Sequence, residues 1–332
     1  MLVGARSMKA LVLLSGGLDS AIAAKIVLEQ GIKVEALNFT TPFIQQNDLT
    51  SLTDELDIKL HVVALLEDYL EVVKCPKHGY GSNMNPCIDC RILMLRKAKG
   101  HMDEVGASFI VTGEVLGQRP MSQHKDALRT IDRESDMEGL VLRPLSAKFL
   151  PPTSVEMRGW VDREKLLSIR GRSRREQIAL ASSYRISSYS CPSGGCLLTD
   201  PGFSRRLSDL LDHCPKPSLN DIELLKVGRH FRLSPSSKLI VGRNEDENKV
   251  LKGLCQEGDV TFEVLGHNCP VSIARGILCV DDLMVSARLE ARYSDAPRDG
   301  LVDVTCYKCD GQSMKLAVRP ISDEELKDMR LN

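Results

Sequence analysis

The sequence predicts an α/β protein, an open parallel sheet with helices on both faces, followed by a smaller α+β domain. Three observations carry the prediction. Short apolar runs alternate with helical patterns over the first 112 residues, the signature of parallel strands joined by crossover helices. The first run breaks at a glycine turn that opens directly into a helix. After Cys214-Pro-Lys-Pro-Ser218 the helical patterning gives way to short β segments.

Segment 9–15 reads as the first strand, its apolar run from Ala10 to Leu14 breaking at Ser15-Gly16-Gly17. From Asp19 to Gln30, Ala, Ile, Val and Leu recur at helical spacing, and Gly31 stops the helix. Segments 33–39, 58–64 and 108–112 read as further strands, and 48–56 and 91–105 as helices. Two glycines expose several backbone N–H groups, and the new helix adds unpaired donors and a positive dipole end. The turn is therefore a phosphate cradle, although it lacks the lysine of a Walker loop. Thr112-Gly113-Glu114 ends the fourth strand, where open α/β sheets place their ligands. Leu116-Gly117-Gln118 and Ser122-Gln123 follow.

Gly171-Arg-Ser-Arg-Arg-Glu-Gln177 opens another helix, with Ser173 and Glu176 spaced as a capping box. Arg172, Arg174 and Arg175 stand on the same turn and could face RNA phosphates. Beyond Ser218 the β segments are 238–241, 260–265 and 301–318, the last holding Asp310-Gly311 between alternating runs as a hairpin signal. The domain boundary is placed at 216/217.

At 332 residues the chain is long enough for two domains, and 42% hydrophobic with 27% charged residues is ordinary globular composition. No run approaches a membrane span and the first residues lack a signal-peptide core, so the expected compartment is the cytoplasm, with no membrane partner. Met8, directly ahead of the first strand, is a second candidate start. The net charge of −1 gives no global sign of nucleic acid. Its distribution does: nine Lys/Arg against three Asp/Glu lie between Arg143 and Arg175, and five against none between Lys226 and Arg243. With one Trp and six Tyr, base stacking is not a theme. Eleven cysteines without an export signal read as core residues, metal ligands or nucleophiles.

Ser15-Gly-Gly-Leu-Asp-Ser20 resembles the pyrophosphatase loop of the PP-loop (HUP-like) ATP-pyrophosphatase superfamily, whose members cut ATP between the α- and β-phosphates to adenylate a substrate. The resemblance implies that Ser15, Gly16, Gly17 and Ser20 hold the leaving pyrophosphate and that Asp19 acts through Mg2+ or orients the loop. Thr112-Gly-Glu-Val-Leu-Gly-Gln118, with Ser122-Gln123, is similar to the tRNA 4-thiouridine synthetase branch, and Val141-Leu-Arg-Pro-Leu145 to that family's next strand. It implies ATP contacts from Asn38, Thr112, Gly113 and Gln118. Residues 221–318 resemble the RNA-binding domain associated with NFACT proteins, through Lys226-Val-Gly-Arg-His-Phe-Arg-Leu233, Ile240-Val-Gly-Arg-Asn-Glu-Asp-Glu-Asn248 and Ala291-Arg-Tyr-Ser-Asp295. Arg229, Arg232 and Arg243 are the RNA-binding candidates there.

Two cysteine pairs stand apart. Asn85-Pro86-Cys87-Ile88-Asp89-Cys90 leads into the helix expected near Arg91, so the dipole should lower the Cys90 pKa. Cys191-Pro-Ser-Gly-Gly-Cys196 lies in a later loop. In one reading Cys87, Cys90 and Cys196, with Cys191 as alternative third ligand, hold a 4Fe-4S cluster whose open iron binds sulfide. In a second, Cys90 and Cys196 are a persulfide and resolving pair; in a third, the four form a structural zinc site. The Asn-Pro-x-x-x-Cys segment is similar to that of bacterial 2-thiouridine synthetases, which places Cys90 on the catalytic cysteine and Cys196 on its partner. Cys87 matches the cluster-dependent thiolases instead. No THUMP-like or rhodanese domain is recognised in the sequence, which weighs against the persulfide reading. Cys75, Cys214, Cys255, Cys269, Cys279, Cys306 and Cys309 read as structural or incidental.

The resemblance implies an ATP-dependent tRNA sulfurtransferase: a uridine carbonyl is adenylated with release of pyrophosphate, and sulfur from a cluster or a cysteine persulfide displaces AMP. It implies ATP, Mg2+ and a 4Fe-4S cluster as cofactors, and tRNA and a sulfur donor, sulfide or a cysteine desulfurase, as partners. A homodimer is left open. The alternatives are a PP-loop enzyme adenylating a small molecule and a non-catalytic RNA-binding or iron–sulfur factor.

Overall fold

A computed structural model of the chain describes residues 8–44, 48–190, 195–308 and 310–331. The chain divides into two compact units, Met1–Leu197 and Leu198–Asn332.

The first unit runs β1 (Lys9–Leu13), α1 (Leu18–Leu28), β2 (Lys33–Thr40), α2 (Thr50–Leu56), β3 (Lys59–Ala64), α3 (Glu67–Lys74), α4 (Cys87–Val105), β4 (Phe109–Thr112), α5 (Lys125–Glu134), β5 (Val141–Leu142), α6 (Ser154–Met157) and α7 (Arg175–Tyr184). Among the described residues the strands form one parallel sheet in the order β3-β2-β1-β4-β5. The unbroken apolar run of β1 follows from burial on both faces. Ala10 and Val12 belong to a core shared with α1, α2 and α7, whereas Leu11 and Leu13 belong to one shared with α4 and α5. The order reverses at β1, whose neighbours β2 and β4 run off to either side, so the C-terminal ends of these strands open on a crevice.

The four expected strands and the helices over 19–30 and 48–56 are present with ends shifted by a residue or two. The helix expected from Arg91 instead begins at Cys87, after Pro86, so Cys87 and Cys90 lie within its first turn. The capping box expected from Ser173 does not form. α7 starts at Arg175 with Arg174 at its N-cap, and Ser173 Oγ is only a distant acceptor for Arg175 N, at 3.5 Å.

The second unit holds α8 (Pro201–His213), α9 (Leu219–Leu224), β6 (Arg229–Ser234), β7 (Ser237–Val241), α10 (Glu245–Leu254), β8 (Val260–Val264), β9 (Ser272–Gly276), α11 (Val280–Tyr293), β10 (Val302–Lys308), β11 (Ser313–Val318) and α12 (Asp323–Met329). Its described strands form an antiparallel sheet in the order β11-β10-β8-β9-β7-β6. β10 and β11 are the expected hairpin, turning at Asp310-Gly311 with Gly311 at φ +86°. The unit begins at residue 198, ahead of the 216/217 boundary read from sequence, because α8 is fastened to it. Arg206 Nε on α8 donates to the Leu225 carbonyl (2.9 Å), and Asp209 receives the Arg232 guanidinium, with Nε at 3.1 Å.

Candidate functional site

β1 ends one residue short of a turn whose shape is set by serines. Ser20 Oγ donates to the Gly17 carbonyl at 2.8 Å and accepts from Ser15 N at 3.3 Å, while Gly17 N reaches Ser15 Oγ at 3.4 Å. Gly16 sits at φ +78°, in the left-handed region that favours glycine. Gly17 is the N-cap of α1 and supplies no capping side chain. The first amides of an eleven-residue helix thus keep their donors for an anion. Asn38 Nδ2, on β2, donates to the Leu14 carbonyl at 2.8 Å and fixes the entry to the turn.

The Thr112 segment is pressed against this loop. A Cβ on Gly113 would lie 2.5 Å from both Asp19 C and Ser20 N, so only glycine lets the two backbones approach this closely. Gln118 Nε2 donates to Asp19 Oδ2 at 3.0 Å, and Arg174 lies 3.9 Å from the same oxygen. Asp19 Oδ1 is buried and has no partner among the described residues, which suits it to a cation brought in with a phosphate ligand. Behind Thr112 a buried network extends from the cavity wall: Arg143 bonds Glu114 (2.9 Å) and grips Asp132 with two nitrogens at 2.7 and 2.8 Å. Despite its burial, Glu114 is held below the usual carboxylate range by Arg143 and Arg91. Burial is the largest influence on Asp132 and pushes its pKa up.

The cysteines arrive from two directions. α4 brings Cys87, whose thiol donates to Asn85 Oδ1 at 3.2 Å, and Cys90, which packs 4.0 Å from Met94 Sδ. The stretch after α7 folds back on the glycine loop, where Ser190 N donates to the Gly16 carbonyl at 2.8 Å. It then pairs at Cys196 with Ile44, and Leu197 N reaches the Phe43 carbonyl at 2.8 Å. Cys191 lies outside the described residues. Contrary to the lowered pKa expected from the helix dipole, burial raises the Cys90 pKa and outweighs the lowering effects of Arg91 and the Tyr69 hydroxyl.

One cavity of about 260 Å³ is lined by Ser15, Gly17, Asp19 and Ser20 of the glycine loop and by Asn38, Thr112, Gly113, Gln118, Arg174, Cys87, Cys90 and Cys196. Arg91 and Arg119, neither singled out in the sequence, line it as well. Among the described residues no group of three or more His, Cys, Asp or Glu side chains is arranged to hold a single metal ion.

The basic residues separate. Arg172 and Arg175 are exposed near the mouth-lining Arg174. In the second unit Arg243 is exposed but bonded to Glu247, Arg232 is bound by Asp209, and Arg229 donates to the Gly242 carbonyl (3.1 Å) and lies over the Tyr293 ring. Arg143 and Lys238, counted in the basic stretches, are only 5% and 4% exposed.

Residues 5–148 match the family model described as thiamine biosynthesis protein (ThiI), and residues 228–330 match that of the NFACT protein RNA binding domain. A probable tRNA sulfurtransferase of Lysinibacillus sphaericus is 35% identical over 146 residues, covering 41% of this chain and 34% of that protein. One of Ureaplasma parvum is 32% identical over 152 residues, covering 42% and 37%. The chain thus spans about a third of the length of the curated relatives it matches. A solved 4-thiouridine synthetase–RNA complex with bound ATP is 25% identical, covering 66% of this chain and 52% of that one, with a TM-score of 0.38. The chain carries a ThiI-type segment followed by an NFACT-type segment.

Proposed function

We propose that the chain is an ATP-dependent tRNA sulfurtransferase acting on a uridine. The observation that carries this reading is the cavity in which an uncapped glycine loop and three cysteines face the same space. An anion cradle beside thiols suits a reaction that first activates a carbonyl with ATP and then exchanges its oxygen for sulfur. The ThiI-type segment and the probable tRNA sulfurtransferases among its relatives point the same way.

Ser15, Gly16, Gly17 and Ser20, with the first amides of α1, hold the β- and γ-phosphates and keep the departing pyrophosphate from water. Mg2+, when bound, neutralises phosphate charge, and Asp19 Oδ1 is the oxygen fitted to hold it. Asn38, Thr112 and Gly113 shape the nucleotide side of the cavity, and Gln118 orients Asp19. The uridine carbonyl oxygen attacks the α-phosphorus and the bond to the β-phosphate oxygen breaks, leaving the adenylated base.

Cys90 and Cys196 line the same cavity, which supports reading them as a persulfide and resolving pair. Cys196 takes a sulfane sulfur from the persulfide of a cysteine desulfurase, as the donor's S–S bond breaks and its thiol leaves. The terminal sulfur attacks the activated carbon and AMP leaves. Cys90, kept protonated by burial until needed, then displaces the bound sulfur from Cys196, giving the thiouridine and a Cys90–Cys196 disulfide that an external thiol reduces. Arg172, Arg174 and Arg175 meet tRNA phosphates near the cavity, and Arg229 and Arg243 do so on the second unit, whose NFACT-type match supports RNA contact. In this reading Arg232 is held by Asp209 and contributes less.

Separating the two half-reactions tests the proposal. Asp19→Ala should lose both tRNA-dependent pyrophosphate release and thiolation, whereas Cys196→Ala should retain the first and lose the second. Loss of pyrophosphate release in Cys196→Ala would refute the division of labour. Iron and acid-labile sulfide, assayed on anaerobically purified protein, should be absent; stoichiometric iron removed by Cys87→Ala, Cys90→Ala and Cys196→Ala would replace the persulfide with a cluster.

A further inference from the structure

Two guanidinium groups enter the cavity on its cysteine side. Arg91, the residue after Cys90, lies with Nε 3.7 Å from Glu114 Oε1. That carboxylate is already engaged, since its other oxygen takes Arg143 Nε at 2.9 Å and Thr112 Oγ1 at 3.1 Å. Arg119 lines the same cavity, and its guanidinium makes no hydrogen bond or ion pair among the described residues. Enclosure by the cavity wall, and next the charge of Arg91, hold its pKa below the usual arginine range. Two converging cations beside one shared carboxylate leave positive charge that an anion would balance.

The backbone under Arg119 is rigid. Gly117, at φ +77°, donates to the Gln123 carbonyl at 2.6 Å; Arg119 N donates to Gln123 Oε1 at 3.1 Å, and Gln123 N returns to the Arg119 carbonyl at 3.1 Å. The neighbouring Gln118 fastens this turn to Asp19 of the glycine loop. Arg119 is therefore held one residue from the loop's own contact and on the side of Cys87 and Cys196.

We propose that Arg119 is a catalytic residue whose guanidinium binds the α-phosphate of ATP, with Arg91 as a second cation beside it. The inference rests on the reading of the cavity as an ATP site. With the β- and γ-phosphates in the glycine loop, the α-phosphate is the next group toward the cysteines. As the uridine oxygen bonds to the α-phosphorus and pyrophosphate departs with the electrons of the broken bond, a planar guanidinium meets two of its oxygens with parallel hydrogen bonds. The same contact holds AMP as it leaves.

The test is equilibrium binding of AMP, adenosine and inorganic pyrophosphate to the full chain, measured by calorimetry for wild type, Arg119→Met and Arg119→Lys, with thermal melting to verify folding. Arg119→Met should weaken AMP by about tenfold or more, the scale of one charge-assisted hydrogen bond, and leave adenosine and pyrophosphate unchanged. Arg119→Lys should fall between, because an ammonium keeps the charge without the fork. Unchanged AMP binding in a folded Arg119→Met overturns the inference alone, and would turn attention to a sulfur anion as its partner. Equal weakening of AMP and pyrophosphate overturns the α-phosphate assignment. A wild type that binds neither AMP nor pyrophosphate overturns the inference together with the reading beneath it.

Discussion

Gly113→Ala adds a single methyl group at the point where the Thr112 segment meets the glycine loop. The new Cβ would stand 2.5 Å from Asp19 C and Ser20 N and 2.7 Å from the Asp19 carbonyl oxygen, all of them backbone atoms that no rotamer change can move. Non-bonded carbon atoms rest at about 3.5–4 Å, so one backbone must retreat by about 1 Å. The glycine has no positive φ, so alanine suits the local backbone and the whole effect is steric. Overpacking of this kind costs about 1–3 kcal/mol of stability, and a displacement of about 1 Å in a positioning loop costs on the order of 100-fold in rate. The assay is ATP affinity and tRNA-dependent pyrophosphate release, beside chemical denaturation. A Gly113→Ala protein that binds and turns over ATP like wild type would refute the close approach of these two segments as a functional contact.

Arg143→Met leaves Glu114 and Asp132 without their shared cation, and urea denaturation should show a loss of about 3–5 kcal/mol, as for other broken buried pairs. Lys238 and Glu290 set opposing slopes in the pH dependence of the second unit. Burial raises the Glu290 pKa from 4.5 to about 8, so the folded state holds its proton more tightly and stability falls from about pH 4.5 to pH 8. Burial lowers the Lys238 pKa from 10.5 to about 8, so the unfolded state binds the extra proton and stability rises from pH 8 toward 10.5. Denaturation midpoints across this range should therefore dip near pH 8, with Glu290→Gln removing the fall and Lys238→Met the rise. Alkylation followed by mass spectrometry should modify the exposed Cys75 and Cys279 first and Cys90 and Cys306 last, because burial raises both late thiols, Cys306 to about 11.

The parallel sheet was legible because its strands are buried on both faces and read as unbroken apolar runs, β1 most clearly. The glycine loop was legible because Ser15 to Ser20 combines a turn that needs a left-handed glycine with a helix start. α3 and α5 were not, because Glu67-Asp-Tyr-Leu-Glu-Val-Val-Lys74 and Lys125 to Glu134 are short and charged and bury one narrow stripe each. Cys90 shows where a local rule fails: its place in the first turn of a helix predicts an acidic thiol, but burial removes the water that would stabilise the thiolate and outweighs the help of Arg91 and the Tyr69 hydroxyl. The boundary moved for a similar reason, since α8 belongs with the second unit through Asp209 and Arg206, contacts without a local pattern. Arg91 and Arg119 carried no motif of their own, and only the cavity brings them together.

The central claim is that ATP activation and sulfur transfer to tRNA occur in one cavity of this chain. Its most direct test incubates the purified protein with ATP, Mg2+, a persulfide donor, a thiol reductant and unmodified tRNA, then digests the tRNA for nucleoside mass spectrometry while AMP is counted. The account predicts a thiolated uridine formed in step with AMP and lost in Cys90→Ala and Cys196→Ala. AMP formation without tRNA, or tRNA that stays unthiolated while ATP is consumed, would contradict it.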